Sequence, residues 1–344
     1  MIYFRADSNS VIASGHIMRC LSIATYLKKQ GAEVCFLTAD HNPDTMLEKV
    51  GVDSLCLESQ WDNLMSEVEK MKNILSKDSH SLLFIDTYQV SRAYVEALLP
   101  YTPICYLGSK REYLGKLQTI INYSTDIDYD FYRDNYSDVE TKLLLGPKYA
   151  PLREEFQNIS EHASGKVGHI LLTTGNTDQN NIVPKILSAL STEPYFKYII
   201  IDVVVGAMFK NKEELLAEYK DCESVRLHQN VKSMSQLMLQ SDLAIAANGT
   251  TVYELAASKV PAITFAMVAE QVPSATALSK LGAVNYCGES FSDETETVKR
   301  IVAATGRYVT NPDLLRQQVQ KASAIIDGDG CKRIAENMLS LIKQ

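Results

Sequence analysis

Between positions 5 and 24 the chain reads Arg5-Ala-Asp7-Ser8-Asn-Ser-Val-Ile12-Ala13-Ser14-Gly15-His16-Ile17-Met-Arg19-Cys20-Leu21-Ser-Ile-Ala24, a loop of small polar residues ending in a single histidine. The β-rich run before it and the apolar residues at Ile17, Leu21, Ala24 and Leu27 predict a strand, a loop and then an amphipathic helix. His16 then falls in the first helical turn. There the positive end of the helix dipole disfavours imidazolium, so the ring stays able to accept a proton, as a general base must. The ordinary alternative is a capping histidine in an unremarkable loop.

Four further stretches put reactive or ligand-binding side chains at similar corners. Asn248-Gly249-Thr250-Thr251-Val-Tyr-Glu254 follows the apolar run Leu243-Ala-Ile-Ala-Ala. Backbone N–H groups at such a strand-to-helix turn hold a phosphate, and the two threonines add hydroxyl donors. Glu254, one turn into the helix, is placed to bind the vicinal hydroxyls of a ribose. A plain N-cap and capping box would use the same residues. Ala269-Glu270-Gln271-Val-Pro273 lies one strand–helix unit later, where a solvated polar turn is the other reading. Leu82-Leu-Phe-Ile-Asp86-Thr-Tyr88 is a buried strand whose end brings Asp86 and Tyr88 to the edge near His16, unless Asp86 caps the helix that starts at Ser91. Leu171-Leu-Thr-Thr-Gly175-Asn176-Thr177-Asp178 opens the second half with a small-residue loop, a signal shared with any Gly-Asn turn.

The elements that must position these residues alternate along the chain. Strands are predicted at 2–5, 33–38, 81–86, 103–107, 119–122 and 142–145, then at 169–173, 198–205, 225–227, 243–246, 262–265 and 284–286. Helices are predicted at 18–29, 61–75 and 91–98, then at 181–190, 212–219, 234–240, 252–258, 275–281, 313–326 and 331–342. The Tyr- and Asp-rich stretch 124–138 is expected to be a surface loop, and the polar stretch 157–166 a linker. Strand and helix in alternation argue for parallel sheets, here twice. The expected fold class is α/β, with two Rossmann-like domains at 1–156 and 166–327 and a central cleft. A last helix at about 328–344 is expected to pack back on the first domain. His16 and the 174–178 loop would face that cleft from opposite sides.

Bulk properties narrow the function classes. Of 344 residues, 46% are hydrophobic, enough for two cores, and the net charge is −8 with both signs interspersed. A nucleic-acid or anionic-membrane surface is therefore not expected. Seven scattered cysteines without a Cys-x-x-Cys pair suggest buried thiols in a reducing compartment, with neither disulfides nor zinc. The start Met1-Ile-Tyr-Phe-Arg has no secretory pattern and no apolar run approaches about 20 residues, so a cytoplasmic protein is expected. Gly-x-Gly-x-x-Gly, Gly-Lys-Ser/Thr, His-Glu-x-x-His and nucleophile-elbow patterns are lacking, which leaves redox, ATPase and zinc-hydrolase readings without support.

Taken together, Arg5-x-Asp7-Ser8, Ile12-x-x-Gly15-His16-x-x-Arg19-Cys20-Leu21-x-x-Ala24, Ile85-Asp86-x-Tyr88, Leu144-Leu-Gly-Pro-Lys-Tyr-Ala-Pro-Leu-Arg153-Glu154-Glu155-Phe156, Gly249-Thr250-Thr251-x-Tyr253-Glu254 and Ala269-Glu270-Gln271 resemble the pseudaminic-acid pathway UDP-sugar hydrolases. That family includes related spore-coat polysaccharide proteins. The resemblance spans nearly the whole chain. It implies the GT-B architecture and hydrolysis of UDP-2,4-diacetamido-2,4,6-trideoxy-β-L-altropyranose, or a close relative, to UDP and free sugar. It implies His16 as catalytic base with Asp7 and Tyr88 beside it, and Gly249, Thr250, Thr251 and Glu254 on the nucleotide. Ser14, Gly15, Arg19, Asp86, Arg153, Glu154, Gly175, Asn176, Thr177, Glu270 and Gln271 would line the substrate site. No cofactor, metal, nucleic acid or membrane is called for, and a monomer is expected. The chain departs from the family at Tyr106-Leu-Gly-Ser109, where an acidic pair is usual, at the Gly175-Asn176-Thr177-Asp178 loop, at the shortened Glu270-Gln271 turn, and at Ala13, usually glycine. Alternatives are a GT-B glycosyltransferase with a UDP-sugar donor, and a non-catalytic nucleotide-sugar binding protein.

Overall fold

A computed structural model describes residues 1–78, 80–137, 140–159 and 165–342. The chain forms two compact units, Met1–Glu154 with Asp329–Gln344, and Glu155–Gly328. Positions 160–164 of the expected linker lie outside the described residues.

The first unit contains β1 (Ile2–Ala6), α1 (Gly15–Lys29), β2 (Val34–Thr38), α2 (Asp44–Val50), β3 (Asp53–Cys56), α3 (Val68–Leu75), β4 (Leu82–Asp86), α4 (Arg92–Leu98), β5 (Ile104–Leu107), β6 (Thr119–Asn122), α5 (Tyr129–Tyr136) and β7 (Lys142–Leu145). The sheet runs β3-β2-β1-β4-β5-β6-β7, with every neighbouring pair parallel. Its central strands are covered on both faces, which is why they read as apolar runs without alternation. Phe4 stacks on Phe36 and tilts against Phe84 on one face, while Leu83 and Ile85 meet Met71 and Tyr94 on the other. Strand order turns outward in opposite directions from β1 and β4. At such a switch point the connecting loops diverge and leave a crevice at the carboxyl ends.

The second unit contains β8 (His169–Thr173), α6 (Ile182–Ser191), β9 (Ile200–Val205), α7 (Lys212–Tyr219), β10 (Val225–Gln229), α8 (Met234–Leu239), β11 (Leu243–Ala247), α9 (Thr251–Ala257), β12 (Ala262–Ala266), α10 (Val272–Lys280), β13 (Asn285–Glu289), α11 (Glu294–Thr310) and α12 (Pro312–Ser323). Its parallel sheet runs β10-β9-β8-β11-β12-β13, the Rossmann order, with the switch point between β8 and β11. The last helix, α13 (Gly330–Ile342), packs against α1 and places Ile334, Ala335 and Met338 in the same buried cluster as Phe4, Ile17 and Leu21. It starts at a glycine because a Cβ on Gly330 would stand 2.0 Å from the Ala150 carbonyl oxygen.

Each expected strand is present, with ends shifted by no more than about three residues. The expected loop at 124–138 is corrected, since it contains α5. Asp128 caps that helix by accepting from Phe131 N at 3.1 Å. Tyr132 and Tyr136, one turn apart, share its buried face. Tyrosines at helical spacing among aspartates conceal that face in a reading based on polarity. The predicted helix at 61–75 is a 3₁₀ turn, Leu64–Glu67, followed by α3. The half-exposed edge strand β3 and the helices α2 and α11 had no counterpart in the sequence reading.

Candidate functional site

β1 and β4 are paired in register, Ala6 against Asp86, so the loops that follow them open side by side at the first switch point. His16 is the second residue of α1 and is buried, and its Nδ1 lies 2.6 Å from Asp86 Oδ1. Arg19, three residues further on the same helix face, grips Asp86 through Nε and Nη2. Its Nη1 donates to the Tyr123 hydroxyl at 3.0 Å. Arg19 Nη2 also lies 2.9 Å from His16 Nδ1. The two contacts to Nδ1 demand opposite tautomers, and the carboxylate is the stronger partner. Nδ1 therefore carries the hydrogen and donates it to Asp86, which leaves a lone pair on Nε2. That nitrogen makes no hydrogen bond to the described residues. The Tyr88 ring stands edge-on to the imidazole at 4.8 Å and is 61% exposed. Burial alone would push the Asp86 carboxyl up, but the Arg19 guanidinium and the His16 ring hold it below the usual carboxylate range.

The arrangement is an anion-supported imidazole with one open nitrogen, able to take a proton from a bound water. The ordinary use of Asp86 as a helix cap does not occur, because Ser91 caps α4 by accepting from Tyr94 N. The loop before His16 is built from its own residues: Asn9 Oδ1 accepts from Val11 N and Ile12 N. Ala13 adopts φ +53°, a conformation in which a glycine would carry no strain. Ser14 caps α1 through its carbonyl, which accepts from Met18 N, and not through its hydroxyl. Gly15 faces open space.

Two expected members of this site stand apart from it. Asp7 is not bonded to His16, because Oδ1 accepts from Ala39 N at 2.7 Å and Oδ2 from Arg5 Nη1 at 2.5 Å. Burial raises its carboxyl above the usual value against the pull of Arg5. Glu154 pairs with Lys29 at the opposite end of α1, about 20 Å along the helix from His16 at 1.5 Å per residue. Glu154 therefore lies away from the imidazole corner.

In the second unit, the loops after β8 and β11 meet at the other switch point. Gly175 N donates to Thr173 Oγ1, Asn176 Oδ1 accepts from Ala207 N, and the Asn176 carbonyl accepts from Met208 N. This lacing needs Gly206, whose Cβ would stand 2.4 Å from the Asn176 carbonyl oxygen. Asp178 caps α6 with both oxygens, and the half-buried Thr177 hydroxyl has no hydrogen bond within the described residues. Next to this loop, Gly249 and Thr250 are exposed, a Cβ on Gly249 would touch nothing, and Thr250 makes no side-chain cap. Thr251 and Glu254 are half-buried on the first turn of α9. Gln271 Oε1 accepts from Met267 N, which occupies its amide oxygen structurally, while Glu270 stays exposed.

Tyr123 was not singled out in the sequence, and Thr174 and Asn248 appeared there only as members of their motifs. Tyr123 holds Arg19, and the buried Thr174 Oγ1 and Asn248 Oδ1 have no hydrogen-bond partner among the described residues. Each of the three immediately follows a strand at a carboxyl edge, and that position alone could have singled them out. An unmet buried polar atom costs about 1–3 kcal/mol, so two on adjacent strand ends mark a place for a polar ligand. Among the described residues, no group of three or more His, Cys, Asp or Glu is placed to hold a metal ion. No described helix is long and apolar enough to cross a membrane.

No family model matches the chain. It is 24% identical over 363 residues to the spore coat polysaccharide biosynthesis protein SpsG of Bacillus subtilis, covering 98% of each chain. It is 24% identical over 285 residues to the UDP-2,4-diacetamido-2,4,6-trideoxy-beta-L-altropyranose hydrolase of Campylobacter jejuni, covering 82% of this chain and 97% of that one. A third relative, an uncharacterized protein of Methanocaldococcus jannaschii, is 24% identical over 270 residues, with 75% of this chain matching about half, 54%, of that longer protein. Among solved structures, MurG of Acinetobacter baumannii superposes with a TM-score of 0.69 at 16% identity over 98% of this chain and 99% of that one. CalG4, the calicheamicin glycosyltransferase, superposes with a TM-score of 0.66 at 14% identity over 99% and 98%. The fold is GT-B. The resemblance carried by the motifs extends along most of the chain.

Proposed function

We propose that the chain cleaves the anomeric C–O bond of a UDP-linked 2,4-diacetamido-2,4,6-trideoxy hexose, releasing UDP and the free sugar with inversion. The observation that carries this reading is the Asp86-supported imidazole of His16 with its open Nε2. The name of the Campylobacter jejuni relative supports the substrate class. A water oxygen bonds to the anomeric carbon as the bond to the diphosphate oxygen breaks. The electron pair leaves with UDP, and the water's proton passes to His16 Nε2. Departure of UDP needs charge stabilisation more than protonation. The Gly249–Thr251 corner supplies N–H and hydroxyl donors for it, and Glu254 holds the ribose. The seven free, mostly buried thiols fit action in the cytoplasm.

Two substitutions separate these roles. Asp86→Asn removes the anion that fixes the imidazole tautomer, and a turnover loss of about 10²-fold or more is expected, with UDP affinity retained. Turnover above a tenth of the wild-type rate would discard the Asp86–His16 pairing as functional. Glu254→Ala is expected to weaken UDP binding by roughly 10-fold or more, the worth of a charge-assisted hydrogen bond. Calorimetry with UDP reads this directly, and an unchanged Kd refutes the ribose assignment.

The deciding experiment is incubation with a panel of UDP-linked diacetamido sugars, followed by NMR of the anomeric signal. Release of UDP and inverted sugar in buffer alone supports the hydrolase. The similarity of fold to glycosyltransferases favours a second reading, in which His16 activates an acceptor hydroxyl. UDP release only when an acceptor sugar is added would establish that reading instead.

A further inference from the structure

The first unit holds a second concave site that the scheme above leaves unused. A cavity of about 240 Å³ opens beside the carboxyl ends of β5 and β6, lined by Ser109, Arg111, Asn122, Asp126, Asp128 and Tyr132 among others. Two of these walls are buried and prearranged. Asn122 Nδ2 donates to the Tyr132 hydroxyl at 3.0 Å, and Asn122 Oδ1 accepts from Ser124 N, so the amide is locked. The phenol oxygen is thus an acceptor for Asn122, while its own hydrogen goes to no described protein atom. Tyr132 is only 3% exposed, so an O–H of this kind is held ready for a ligand. Arg111 stands 3.9 Å from Asp128, too far to be consumed by it, and contributes a guanidinium fork. Ser109 follows Gly108, where a Cβ would stand 2.1 Å from the Tyr106 hydroxyl, so only glycine lets the chain pass there and reach the cavity.

We infer that this cavity is a specificity pocket for an uncharged, amide- or hydroxyl-bearing substituent of the sugar, read by the Tyr132 O–H and Arg111 as donors and the Asp126 and Asp128 carboxylates as acceptors. This inference rests on the sugar reading proposed above. Three arguments carry it. Donors and acceptors face one small volume together, as an amide or a pair of hydroxyls requires. Two carboxylates against one guanidinium leave a net negative wall, which repels a carboxylate- or phosphate-bearing sugar. The pocket also lies on the same sheet edge as the imidazole. β5 pairs with β4 and β6 with β5, so their carboxyl ends follow that of β4 in order, although Asn122 and Tyr132 lie on the sheet face opposite Tyr123 and Arg19. At about 4.8 Å per strand, the ends of β5 and β6 stand about 5–10 Å to the side of the end of β4, so one ligand can reach both around the carboxyl edge.

The test is saturation-transfer NMR and titration of the full chain with free 2,4-diacetamido-2,4,6-trideoxyhexose, with glucuronic acid as the charged comparison. Wild type is expected to bind the diacetamido sugar with a Kd below about 10 mM and glucuronic acid at least about 10-fold more weakly. Tyr132→Phe and Arg111→Ala are each expected to weaken the diacetamido sugar by about 5–10-fold while UDP binding stays unchanged. Arg111 is exposed, so that variant remains informative if Tyr132→Phe folds poorly. The inference is overturned if wild type does not bind the sugar, if glucuronic acid binds equally well, or if Arg111→Ala binds as wild type. Failure of the hydrolase reading looks different: UDP-sugar stays intact on incubation while the pocket variants still weaken the free sugar.

Discussion

Replacing His16 by glutamine is expected to lower turnover of the UDP-sugar by about 10²–10⁴-fold while leaving the affinity for UDP within a few-fold of wild type. The asymmetry follows from where the groups sit. UDP is proposed to bind at Gly249–Thr251 and Glu254 in the second unit, whereas His16 is held by Asp86 and Arg19 in the first. Glutamine can keep a polar contact to Asp86 and Arg19, so the fold around the carboxylate should persist. It cannot offer a lone pair on a nitrogen that also accepts a proton. His16→Ala should lose as much and regain part of it with added imidazole. Near-normal turnover in either variant would remove His16 from the mechanism, and a parallel loss of UDP affinity would show that the substitution had disturbed more than the base.

The reach of the sequence into the structure follows the physics of each signal. Doubly buried parallel strands such as Leu82-Leu-Phe-Ile appear as uninterrupted apolar runs, and the loops at their ends stand out against them. His16, Asp86, Arg19 and Tyr88 were legible because one helix turn and one strand end, in two short motifs, fix them all. β3 was not, since an edge strand of alternating exposure with four residues gives too little contrast. α5 hid because its apolar face is made of tyrosines. Asp7 illustrates a different limit. Its place in a motif next to the histidine does not reveal that its oxygens turn toward Arg5 and Ala39 N. Glu154 likewise shares a motif with Arg153 while lying at the wrong end of α1. Adjacency in a pattern carries no information on which way a side chain points, and burial decides that only once the neighbours are known.

The network that captures Asp7 gives the largest expected effect on stability. Arg5 and Glu67 are both fully buried, joined by two hydrogen bonds at 2.6 and 2.9 Å. Tyr94 and Ser59 hydroxyls also donate to Glu67, and Arg5 reaches on to Asp7. Burial works against the Arg5 charge, but the Glu67 carboxylate more than offsets it, so the guanidinium stays charged. Glu67→Ala would leave that charge buried with Asp7 as its remaining partner and strand two hydroxyls. Breaking a buried pair from one side costs about 3–5 kcal/mol. At about 2–4 °C per kcal/mol for a unit of this size, thermal unfolding should move down by roughly 6–20 °C. Glu67→Gln keeps the shape and both hydroxyl partners, so it should fall in the same direction by less. The same substitutions should lower turnover without touching UDP affinity, because Arg5 and Asp7 aim the strand exit from which the Ser8–Ser14 loop leads to His16. A thermal midpoint within about 2 °C of wild type for Glu67→Ala, at most about 1 kcal/mol, would mean that water or a shifted side chain satisfies Arg5 and that the buried pair contributes little.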